Sequence, residues 1–90
     1  MAKAGEISIY DEGLAKRAEE LKDFIENELG YEITTPIVAT NLSLVRGAFR
    51  RDSETRVVCG AMDKEGRRHT FKLGPVSKTI TMDGDVIKRW

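Results

Sequence analysis

The stretch from Val57 to Leu73, VVCGAMDKEGRRHTFKL, limits what this chain can fold into more than any other segment. Within it, Asp63-Lys64-Glu65-Gly66 has an Asp to open a turn, two residues suited to the right-handed region, and a Gly where positive φ is needed. That pattern predicts a type I turn with a Gly bulge, joining two antiparallel strands. If Asp63 faces Arg67, one side of the ribbon pairs Ala61 with His69, Cys59 with Phe71 and Val57 with Leu73. This apolar side is the expected core face. The other side pairs Met62 with Arg68, Gly60 with Thr70 and Val58 with Lys72, and so turns cationic groups outward.

Elsewhere the elements are read from apolar period. Leu14, Ala18, Leu21, Ile25 and Leu29 recur in steps of four, three, four and four, one stripe down a helix. Asp11 is its expected N-cap and Gly30 its left-handed C-cap, giving a helix over 11–29. The remaining helix surface, with Lys16, Arg17, Glu19, Glu20, Lys22, Asp23, Glu26 and Glu28, reads as an acidic, solvated face. Ile7 and Ile9 alternate within 6–10 and predict a short strand before the helix. After it, Thr35-Pro36 could cap a second helix, but β-branched Ile37, Val38 and Thr40 favour extended chain, with Pro36 at a strand start or on an edge.

Residues 42–51 alternate as a further strand, and the polar Asp52-Ser53-Glu54 suggests that it ends there in a five-residue loop over 51–55. That loop would place Phe49 against Val57 and Gly47 against Cys59. Gly74-Pro75 turns the chain again, and Asp83-Gly84 predicts a two-residue type I′ hairpin between 77–82 and 85–89, with Ile80 facing Ile87. The expected fold is α+β, a single domain over 1–90: one amphipathic helix packed on an antiparallel β-meander of four to six strands, open or curled into a small, partly open barrel.

Composition excludes several function classes. No apolar run approaches the ~18 residues that cross a bilayer, and the N-terminal segment lacks the apolar core of a signal peptide, so no membrane partner and a cytoplasmic location are expected. The single Cys59 closes no intrachain disulfide. Cys59 and His69 share the predicted core face one diagonal apart, a spacing that a thiolate–imidazole pair could use, but the surrounding Val, Ala, Phe and Leu disfavour a thiolate. One Cys and one His fall short of a zinc site, and Asp83-Gly84-Asp85 lacks the remaining ligands of a calcium loop. With no phosphate-binding or nucleophile motif either, the sequence nominates no catalytic residue, no metal and no cofactor, and the expectation is a non-enzymatic binding protein.

Charge is the remaining clue. The chain has fifteen basic and fifteen acidic residues, but 1–45 holds four Lys and Arg against nine Asp and Glu, whereas 46–90 holds eleven against six. The halves therefore carry −5 and +5. Arg46, Arg50, Arg68 and Lys72 fall on the predicted outward face, and Lys88 and Arg89 extend the basic set along the last strand, an arrangement suited to nucleic-acid phosphates. The alternative is a protein partner: a regulator or inhibitor acting through the acidic helix, or a homo-oligomer built on the complementary halves.

Overall fold

The computed structural model describes the backbone of residues 2–45 and 48–90, and every side chain among them except those of 43–45, 48–50, 52 and 53. Helix α1 (Glu12–Asp23) is followed without a break by a π-helical turn, Phe24–Leu29. Six strands follow: β1 (Glu32–Ile33), β2 (Val38–Val45), β3 (Ala48–Met62), β4 (Arg68–Gly74), β5 (Thr79–Met82) and β6 (Asp85–Arg89). They form one antiparallel sheet in the order β1-β3-β4-β5-β6, with β2 also pairing along β3, and the sheet does not close into a barrel.

The helix forms where the apolar stripe places it. The Asp11 carboxylate accepts the Leu14 N–H at 3.0 Å, satisfying an otherwise unbonded donor of the first turn. Ala18, Leu21 and Ile25 are completely buried, with Leu14 and Leu29 packed at the margin. The π turn continues the stripe, burying Phe24 and Ile25, the i+3 and i+4 neighbours of Leu21. Gly30, at φ 72°, ends it in the left-handed conformation expected of a C-cap.

The central hairpin has the register its turn dictates, from Val57↔Leu73 through Cys59↔Phe71 to Met62↔Arg68. The Asp63 N–H donates to Arg67 O at 2.8 Å, and Gly66 takes φ 85°, where a side chain would be strained. Val57, Cys59, Ala61, Phe71, Leu73 and Ile80 bury one sheet face against the helix.

Three sequence-based expectations are corrected. Residues 6–10 make only an isolated parallel bridge, Ile7↔Ile37, because the chain leaves the sheet to start the helix. There is no loop at 51–55: β3 runs through it, Val45 pairs with Ala48, and Phe49 pairs with Leu44 while Val57 pairs with Ala39. The polar stretch is a bulge instead, because three residues of β3 in excess of β2 are absorbed between the pairs Thr40↔Arg56 and Leu42↔Arg51. Gly47, expected within a strand and against Cys59, lies outside the described residues. At the far edge, Ile80 pairs with Lys88 and not Ile87, because a second bulge makes Ile87 the extra residue between Val86 and Lys88.

Candidate nucleic-acid interface

The sheet face turned away from the helix is read from the strand pairings. One row runs Glu32, Met62, Arg68; another runs Val38, Val58, Lys72, Thr81, Val86; Thr79 and Arg89 pair beyond it, and Thr40 pairs with Arg56. Arg68 and Arg89 are exposed and Lys72 is half-buried among β-branched neighbours. Among the described residues, none of these three cations has a hydrogen-bonded or ion-paired partner. Other basic residues do: Arg17 with Glu20 at 2.9 Å, Arg56 with Glu54 at 3.7 Å and Arg67 with Glu65 at 3.7 Å.

Between Arg68 and the β1–β2 link this face has a depression of about 280 Å³, lined by Thr34, Thr35, Gly60, Arg68, His69 and Thr70. Its floor is a glycine for a steric reason. The chain folds over β3 there, with the Gly60 N–H donating to Thr35 Oγ1 at 2.7 Å, and a Cβ at Gly60 would come within 3.1 Å of Thr35 Cγ2. Thr34 and Thr70 add hydroxyl groups to its rim.

Of the other candidate positions, Lys88 lies elsewhere. Lys88 pairs with the core residue Ile80 and points to the helix side, where its Nζ donates to Glu28 at 3.0 Å and lies 4.9 Å from the centre of the Phe24 ring. Arg46 lies outside the described residues, as does the Arg50 side chain, although the Arg50 backbone is placed on β3 opposite Ser43.

A second constellation escapes the sequence reading. His69 Nδ1 is 2.6 Å from Asp83 Oδ2 and its Nε2 is 2.7 Å from Asp63 Oδ2. A neutral imidazole has one N–H and a protonated one has two, so two carboxylate acceptors favour the imidazolium. The hydrogen bonds that His69 donates to Asp63 and then to Asp83 raise its pKa, and the same bonds, joined by backbone N–H donors, lower both aspartates. Asp63 also accepts the Glu65 and Arg67 N–H groups, and Asp83 accepts that of Thr70, so His69 ties the β3–β4 turn to the β5–β6 turn. Tyr31 stacks on its ring with centroids 6.2 Å apart. The available signal was that both turns open with Asp and fall at the same end of the meander.

No thiolate–imidazole pair forms. Cys59 is 3% exposed, burial pushes its pKa up to about 12, and both His69 nitrogens are occupied by carboxylates. Among the described residues no group of acidic, His and Cys side chains is arranged to hold a metal ion, and no helix is long and apolar enough to cross a membrane. Comparison of the chain with family models, curated proteins and solved structures finds no match.

Proposed function

We propose that the protein is a small non-catalytic binding module that takes a nucleic-acid phosphate backbone on its outer sheet face without reading base sequence. The observation that carries this is the placement of Arg68, Lys72 and Arg89 on one face without carboxylate partners among the described residues, while the acidic helix lies on the other side of the sheet. Cations beside the exposed Thr70 suit phosphate oxygens, and the depression at Gly60 lets a backbone approach closely beside Arg68. Sequence readout has no support in this geometry. The helix buries its apolar face on the sheet and turns acidic groups to solvent, so it offers no side chains suited to base edges.

Titration of labelled single- and double-stranded DNA and RNA at two salt concentrations tests the reading. About three phosphate contacts to a single strand, one for each of these cations, give a log–log salt slope of roughly −2, and Arg68→Ala reduces the slope by roughly 0.7 for every sequence alike. Absence of binding at low salt, or binding indifferent to both Arg68→Ala and Lys72→Ala, overturns it in favour of a protein partner.

A further inference from the structure

The sheet has two open edges, and they are defended very differently. β6 is five residues long and carries Asp85, Lys88 and Arg89, features that discourage another strand from pairing there. β2, at the other edge, is eight residues of VATNLSLV with no charge, no proline and no glycine, and it hydrogen-bonds as a strand only to β3. The N-terminal segment covers this edge only at its start, where Ser8 N–H donates to Ile37 O and Gly5 N–H to Thr35 O, both at 2.9 Å. Beyond Ile37, no other segment among the described residues pairs with this edge, and Val38 and Leu42 are 40% and 51% exposed. One donor is satisfied locally, Leu42 N–H on Thr40 Oγ1 at 3.1 Å.

We infer that β2 is a dimerisation edge, on which the β2 strand of a second copy pairs antiparallel to join the two sheets into one. An edge of free backbone groups demands an extended chain, and eight residues offer about 27 Å of it at ~3.4 Å each. A second copy fits because antiparallel pairing of a strand with itself obeys a two-fold axis, and because an uncharged strand brings no like charges together at that axis. The helix packs mainly over β3 and β4. A two-fold axis along the sheet normal also keeps both outer faces on one side, so the cations of the two copies line a single surface. The dimer does not depend on the polyanion reading.

Sedimentation velocity without nucleic acid, over roughly 1 to 300 µM, a range that brackets a dissociation constant of ~10 µM, tests the dimer alone. The mass is expected to rise from 10.1 kDa toward twice that value. Leu42→Lys and Val38→Lys, each checked for folding by circular dichroism, should stay at the monomer mass, whereas Val86→Lys on the defended edge should dimerise as the parent does. Amide exchange along 38–45 should slow as concentration rises. A wild-type protein monomeric over the whole range, or a dimer broken by Val86→Lys and untouched by both β2 variants, overturns the inference.

Discussion

His69 is the residue whose surroundings make the sharpest demand on solution conditions. Its raised pKa means that the stability it contributes is fully present below the unfolded value of about 6.5 and is lost as pH rises through the folded one. For Asp63 and Asp83 the sign is opposite: their depressed values give stability that is present above about 3.9 and is lost as pH falls through the folded values. The melting temperature should therefore be highest between about pH 4 and pH 6.5. His69→Asn should remove the alkaline step, which thermal melts across the pH range would reveal. Cys59 behaves in the opposite way, as an inert group: with its thiol held protonated and 3% exposed, native protein at neutral pH should alkylate far more slowly than unfolded protein, and thiol labelling with and without denaturant measures the ratio. Both side chains were placed on the right face by alternation alone. The partners of His69 were not legible, because Asp63 and Asp83 each had a sufficient local explanation as turn residues, and a contact across fourteen positions leaves no mark on local pattern.

At the scale of elements, legibility followed the strength of local punctuation. The hairpin over Val57–Leu73 could be read to the residue because Asp63 and Gly66 fix its turn and the turn fixes its register. The helix was equally plain, although nothing in its stripe distinguishes the π turn from ordinary helix. Residues 51–55 misled because Asp52-Ser53-Glu54 has the composition of a loop, whereas tertiary contacts hold it within a strand. Glu54 shows how. Its side chain is 6% exposed and reaches β4–β5, accepting the Val76 N–H at 2.9 Å and the Ser77 N–H at 3.2 Å. Burial pushes its pKa up, but the Ser77 side chain, these backbone donors and Arg56 outweigh that and hold it below the usual carboxylate range. Glu54→Ala should cost about 1 kcal/mol, since Val76 and Ser77 are exposed and water can replace the lost acceptor, and denaturant titration would measure it. Leu21→Ala, by contrast, empties a fully buried site between helix and sheet and should cost ~2–5 kcal/mol in the same experiment.

For the molecule as a whole, the question is whether charge is divided by face, and Lys88 beside Lys72 decides it. The sequence grouped Lys88 with Arg89 as adjacent cations of one strand, yet successive strand residues point to opposite sides, and the pairing assigns Lys88 to the helix side and Arg89 to the outer one. Lys88 there meets Glu28 and the Phe24 ring, so Lys88→Glu replaces an attraction with a like-charge contact and should cost ~1 kcal/mol of stability. It should leave nucleic-acid affinity nearly unchanged. Lys72→Glu should do the reverse: a half-buried cation without an ion-pair partner among the described residues is lost from the outer face, and affinity for every sequence should fall by roughly tenfold at 50 mM salt, the factor expected for one phosphate contact to a single strand. Anisotropy titrations and denaturation curves on the two variants separate the effects. A protein bound through overall charge alone would respond equally to both reversals, because each changes net charge by two. Unequal responses in the stated direction require that the outer face, and not the molecule's average field, meet the phosphates.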